Sequence, residues 1–148
     1  MRLITRRQAL TGMAAATAAL GLRPAQAVEA QRLFFYQLYS TGTQLSDTAL
    51  GLNGQPVEIV GFMAPPLKAE SKFFVLTDVP MEVCPFCDDI ALWPDNIIFV
   101  TADTVFPVFP YNRQVRVYGM LDLGEETDPA TGFVSLVRLE QATLTRAD

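Results

Sequence analysis

The chain has 148 residues, with 11 Lys+Arg against 16 Asp+Glu, two Cys and no His, and a formal charge of −5 at pH 7. Without histidine it can run no Ser-His-Asp or Cys-His catalysis and can build no His-ligated zinc or haem site. The length suits one domain with one core, and a composition that is half apolar and one-tenth aromatic is that of a globular protein.

Residues 1–27 hold Arg2, Arg6, Arg7 and Arg23 and no acid. They read as a cleavable export signal: a charged start, a weakly apolar stretch from Ala9 to Leu22, and Ala25-Gln26-Ala27 as a small-x-small site cut after Ala27. The run Thr5-Arg6-Arg7-Gln8-Ala9-Leu10 resembles a twin-arginine (Tat) signal, with Ala9 where Phe is usual. That route moves folded proteins, often with a metal or cofactor already inserted, so the resemblance implies a loaded site. An ordinary Sec signal that happens to contain two arginines is the alternative. No Cys follows the cleavage site, which argues against a lipid anchor, and no other stretch reaches about 18 apolar residues. The expectation is one soluble periplasmic domain over 28–148. That part carries 7 basic and 16 acidic side chains, a net charge of about −9. Such a surface repels phosphate backbones and anionic lipid, so neither nucleic acid nor a membrane is an expected partner.

Downstream, Gln31–Ser40 is apolar and aromatic and is expected to be a short helical or irregular lead-in. Thr41–Asn53 is polar and ends at the tight-turn signal Asn53-Gly54. Strands are expected at Val57–Met63, which Pro65-Pro66 stops, and at Ser71–Asp78, Asn96–Thr101, Gln114–Leu121 and Phe133–Leu144. The loop before the fourth strand contains Pro107 and Pro110 and cannot be regular, and the polar stretch Gly124–Gly132 is expected to turn the fourth strand into the fifth. Val57-Glu58-Ile59-Val60-Gly61-Phe62-Met63 and Val115-Arg116-Val117-Tyr118-Gly119-Met120-Leu121 align position by position. Each places a glycine on the face of two β-branched residues, as a strand does where a sheet bends sharply. Five strands, two of them bent, point to an all-β fold, a small five-stranded OB-like barrel.

Leu52–Pro65, Phe73–Leu76, the cysteine segment, Pro94–Val100 and Val115–Leu121 together resemble a family of small uncharacterised periplasmic proteins with OB-type barrels, over roughly residues 50 to 145. Members are often encoded beside ABC transporters, some in zinc-responsive operons. The resemblance implies a role in zinc homeostasis, serving an ABC-transporter component or another periplasmic protein. Related proteins tend to have a Cys followed by a His and a Pro-rich run; here the segment is Cys84-Pro85-Phe86-Cys87-Asp88-Asp89.

That Cys-x-x-Cys is the one constellation with obvious chemistry, and three readings compete. Two thiols at this spacing can converge on one metal ion; zinc wants about four ligands, and with histidine absent Glu82, Asp88 and Asp89 are the nearby groups that could complete the set. A second Cys pair from a symmetry-related subunit would also complete it, and copper(I) with Met81 is a softer variant. The second reading is a thiol-disulfide oxidoreductase, since Cys-Pro-x-Cys occurs in thioredoxin-like enzymes. Against it, no long helix fits between Cys87 and the strand at about Asn96, and the neighbouring acids oppose thiolate formation. The third is a structural disulfide pinning a turn, or an interaction module built around one, although so short a ring stabilises weakly.

Phe86, Trp93, Phe106, Phe109 and Tyr111 could line a groove but fit core positions better at this fold size. Asp88-Asp89 could act as acid and base, with a solvated or capping role favoured; Glu125-Glu126-Thr127-Asp128 lacks EF-hand spacing and reads as surface charge. The sequence therefore points to a non-enzymatic, metal-capable accessory protein, zinc favoured, with Cys84, Cys87, Glu82, Asp88 and Asp89 as its candidate ligands.

Overall fold

A computed structural model describes residues 29–65, 70–82, 97–129 and 132–147; the leader expected over 1–27 lies outside them. The described chain forms eight strands: β1 (Gln31–Arg32), β2 (Tyr39–Thr41), β3 (Gln44–Leu45), β4 (Pro56–Met63), β5 (Phe73–Thr77), β6 (Ile97–Thr101), β7 (Gln114–Thr127) and β8 (Val134–Arg146). A 3-10 turn (Phe35–Gln37) follows β1, and a five-residue helix, α1 (Asp47–Gly51), precedes β4.

Five strands are bonded in a ring. β4 pairs antiparallel with β5 through Phe62 and Met63, β5 antiparallel with β6, and β6 parallel with β8 through two residue pairs, Phe99 with Arg138 and Val100 with Leu139. β8 then pairs antiparallel with β7, and β7 returns antiparallel to β4 over Pro56–Phe62. All five strands anticipated from the sequence are present. Inside lie Val57 and Ile59 of β4, Phe74 and Leu76 of β5, Ile98 and Val100 of β6, Val115, Val117 and Leu121 of β7, and Val137 and Leu139 of β8. Along β4 burial alternates with period two, so Glu58, Val60 and Phe62 point away from this core.

The aligned heptapeptides meet face to face. In the β4–β7 register Val57 opposes Gly119, Ile59 opposes Val117 and Gly61 opposes Val115, so each glycine of the repeat faces the first valine of the other copy. Both glycines sit where another strand crowds in. A Cβ on Gly61 would lie 2.6 Å from the Thr77 carbonyl oxygen, and one on Gly119 would lie 3.0 Å from that of Glu140. What the two glycines have in common is close backbone approach, and at Gly119 it coincides with a register shift between β7 and β8.

The lead-in is short and irregular around one 3-10 turn, as expected: Leu33, Phe35 and Leu38 enter the core while Phe34 (41% exposed) and Tyr36 (76%) stack outside it, so burial alternates through the turn. Two expectations change. The only described α-helix lies in the polar stretch 41–53, where the Ser46 hydroxyl accepts from the Ala49 amide at 3.0 Å and caps Asp47–Gly51. The fourth strand does not end at Leu121 but runs to Thr127, because a bulge at Gly124 (φ +121°) absorbs one residue between Leu123 and Glu126 and pairing resumes beyond it.

A second bulge lies on β8. Thr143 opposes Tyr118 and Glu140 opposes Met120, so β8 carries one extra residue there, and Gln141 takes φ +51°. A left-handed conformation costs an ordinary side chain about 1 kcal/mol that glycine is spared, partly offset by the freedom glycine loses on folding. Gln141→Gly is expected to raise the unfolding free energy by about 0.5 kcal/mol, and Gln141→Val to lower it; urea unfolding midpoints check both.

Candidate functional site

β5 and β6 are antiparallel neighbours with Thr77 opposite Ile97, so the connection that carries the cysteines leaves and re-enters the sheet at adjacent points. The exit is fixed by Thr77, which is fully buried and whose hydroxyl lies 2.8 Å from the Val79 carbonyl and 3.2 Å from that of Phe62. Glu82, five residues on, accepts a hydrogen bond from the Tyr111 hydroxyl at 2.6 Å. Tyr111 belongs to the connection between β6 and β7, the proline-containing stretch 102–113. Backbone bonds from Ala102 to Lys72 (2.9 Å) and from Phe106 to Ser71 (3.0 Å) hold that stretch against the start of β5. Phe106 is buried edge-on against Phe74, with centroids 4.8 Å apart, and Phe109 packs against the core. The core reading of these two aromatics is correct, and their burial brings Tyr111 to Glu82.

Of the five candidate ligands, Glu82 is described; Cys84, Cys87, Asp88 and Asp89 lie outside the described residues, as do Phe86 and Trp93. Among the described residues no three Cys, His, Asp or Glu side chains converge on a common point. The hydrogen bond to Glu82, and then the charge of that carboxylate, raise the Tyr111 hydroxyl above the usual tyrosine value of 10.0. Because the folded state holds this proton more tightly than the unfolded one, the contact stabilises fully below the unfolded tyrosine pKa and is lost as pH rises through the folded one. In ultraviolet titration of metal-free protein, Glu82→Gln is expected to return one tyrosine toward its ordinary range, and Tyr111→Phe to remove that transition. A profile unchanged by Glu82→Gln would show that the two groups do not interact in solution.

Among the described residues, the outer face of the β5–β6 pair offers no open aromatic platform. Val75, Ile97 and Phe99 are each 2–3% exposed, and Phe99 is stacked between Phe73 (5.5 Å) and Phe133 (5.3 Å). A depression beside it, lined by Met63, Ser71, Phe73, Phe74, Phe106, Pro107 and Val108, holds about 10 Å³, too little for more than one water. The acidic stretch 125–128 is not a cation loop, since Glu125–Thr127 continue β7 and Glu126 lies 3.3 Å from the Arg138 guanidinium. Two pairings escaped sequence reasoning, Tyr111 with Glu82 and Arg138 with Asp122; their partners are 29 and 16 residues apart, and no local pattern announces either. No described helix is long and apolar enough to cross a membrane.

No protein-family model matches the chain, and no curated protein matches it by sequence. Among solved structures it is similar to a DUF3299 family protein from Pseudomonas aeruginosa PAO1, with a TM-score of 0.51 and 15% identity over 80% of this chain and 97% of that one. At that identity the likeness is one of fold. It places the mostly β architecture beside that of an uncharacterised family.

Proposed function

We propose that the chain is an exported, non-enzymatic metal-binding accessory protein, with Cys84 and Cys87 binding zinc and carboxylates drawn from Glu82, Asp88 and Asp89 completing the set. Its ring is read as an OB-type barrel. The order of the five strands, first-second-third-fifth-fourth, with the third and fifth parallel, supports that reading. The leader supports export by the Tat route, and the resemblance of residues 50 to 145 supports service to an ABC-transporter component or another periplasmic protein. What supports the metal reading is the Cys-x-x-Cys spacing in the sequence between β5 and β6, whose facing ends are adjacent, together with Glu82, just before it in the chain, anchored to Tyr111 of the separate 102–113 stretch.

Elemental analysis of untagged protein tests it. About one zinc per chain, or one per pair of chains, is expected, lost on Cys87→Ser. A zinc-free protein whose disulfide cycles readily and reduces insulin would overturn the metal reading in favour of a thiol-disulfide oxidoreductase. Zinc-free protein that keeps partner binding after both cysteines are changed would instead mark the pair as structural.

A further inference from the structure

We infer that β1 and the 3-10 turn, with the adjoining start of β7, form a docking surface for an acidic segment of a partner protein: a carboxylate of the partner meets Arg32 and Arg116, and an apolar side chain beside it rests on Tyr36. The inference is independent of the metal reading. Charge is unevenly placed on this chain. Four of the six described cations gather at one end of β7: Arg113 and Arg116 open that strand, Arg146 lies opposite Val115, and Arg32 shares Glu58 with Arg116. Asp122, Glu125 and Glu126 lie toward the other end of the same strand.

Arg32 and Arg116 both approach the same oxygen of Glu58 through Nε, at 3.7 Å and 3.4 Å, and no other acid lies within ion-pair distance of either among the described residues. One negative charge is thus divided between two guanidinium groups. Glu58 does not saturate them: Arg116 Nε is buried without a hydrogen bond, and the amino nitrogens of both arginines, the fork that fits a carboxylate, make none to a described residue. Surface ion pairs contribute little to stability, so folding alone gives no reason to set two arginines on one carboxylate. The aromatic half of the surface adjoins Arg32, which lies over the Phe34 ring at 5.3 Å; Phe34 in turn stacks on Tyr36 at 5.5 Å, with the rings 17° apart. Leu33 and Phe35, buried on either side of Phe34, fix this exposed stack to the core, so it loses little freedom when covered. Tyrosine and arginine are the residue types that dominate binding at protein interfaces. The surface is open, so a free anion gains only the charge contact, whereas a peptide adds the rings. A nucleic acid would have to lay further phosphates across a chain with 7 basic and 16 acidic side chains over 28–148; a short acidic segment need touch only the basic end.

The test titrates the full, isotope-labelled chain with a synthetic peptide alternating Glu and Trp, followed by nuclear magnetic resonance of the backbone amides and the arginine Nε–H groups. Shifts centred on Arg32, Phe34, Tyr36 and Arg116 are expected. Arg32→Gln and Tyr36→Ala, both at exposed side chains, are each expected to weaken binding about tenfold. The Arg32 effect should fade in about 1 M salt, where charges are screened, and the Tyr36 effect should persist. Absence of shifts at these residues, an equal response to the same peptide with Gln in place of Glu, or affinities unchanged in both variants overturns the inference. So does acetate alone saturating the site at the same concentration, which would mark an adventitious anion site, and so does tighter binding of a single-stranded oligonucleotide. Sedimentation showing self-association that Arg32→Gln abolishes would give the surface to a second copy and overturn it too. None of these outcomes bears on the metal reading.

Discussion

Gly61→Ala is expected to lower the unfolding free energy by about 3 kcal/mol, the upper range of overpacking in a filled core. The new Cβ would sit 2.6 Å from the Thr77 carbonyl oxygen, 3.0 Å from a ring carbon of Phe35 and 3.1 Å from Cγ of Leu76. The side chains could give by a few tenths of an ångström. The carbonyl cannot, because Thr77 also pairs with Phe62 and Ile97, so relief requires β4 and β5 to separate where they share only two paired residues. Gly119→Ala provides the comparison. Its nearest neighbours are the Glu140 oxygen at 3.0 Å and Cβ of Leu139 at 3.2 Å, next to a bulge that can adjust, and a loss of about 1 kcal/mol is expected. Urea denaturation of both variants decides it. Equal and small losses would show that the close approach at Gly61 opens without cost. Since whole domains of this size are stable by only about 5–15 kcal/mol, the first substitution removes a large fraction of the total.

The positions of these two glycines were legible because the same constraint acts on both copies of the heptapeptide. A β-branched residue on every second position forms a strand, and a glycine on the buried face of such a strand has few explanations other than close approach. The strand at 73–77 was legible for a different reason. Both of its faces are covered, so Phe73-Phe74-Val75-Leu76 reads as a continuous apolar run bounded by Ser71 and Asp78. Where the reading failed, local chemistry resembled something else. Gly124-Glu125-Glu126-Thr127 looks like a turn by composition, yet its glycine bulges the strand and its acid at 126 faces a cation on the neighbouring strand. The helix at Asp47–Gly51 is a single turn or so, with only Ala49 buried, too short to show a hydrophobic period; Ser46-Asp47 was its sole available signal. At the candidate site the sequence supplied the residue types, Cys84, Cys87 and the nearby acids. The folding of the 102–113 stretch over Phe74 brings Tyr111 to Glu82, a tertiary event that no spacing between the two encodes.

Asp122→Ala is expected to cost about 3 kcal/mol, because it strips the closing seam of the ring of the carboxylate that neutralises a buried cation. β6 and β8 join through only two residue pairs, and Arg138 belongs to one of them. Its side chain is 7% exposed. The guanidinium donates Nε to Asp122 Oδ2 at 2.8 Å, and another of its nitrogens bonds the same oxygen. It also donates to the carbonyls of Gly124 (2.8 Å) and Ser135 (3.1 Å) and lies 3.3 Å from Glu126. The Gly124 bulge exposes the carbonyl for this purpose, so the irregularity in β7 and the arginine in β8 form one device. The carboxylates are less dependent on it, since Asp122 is 37% and Glu126 55% exposed at the side chain and both keep contact with water. The two single losses should therefore be unequal. Arg138→Met replaces the buried cation by an apolar chain of similar reach and is expected to cost about 2 kcal/mol, mainly through the two carbonyls left without a donor. With Arg138→Met already made, removing Asp122 as well should add little, because no buried charge is left to compensate. A double-mutant cycle by chemical denaturation measures this: strict additivity, or an Asp122→Ala loss within about 0.5 kcal/mol of zero, would mean that Glu126 and the backbone oxygens hold Arg138 on their own.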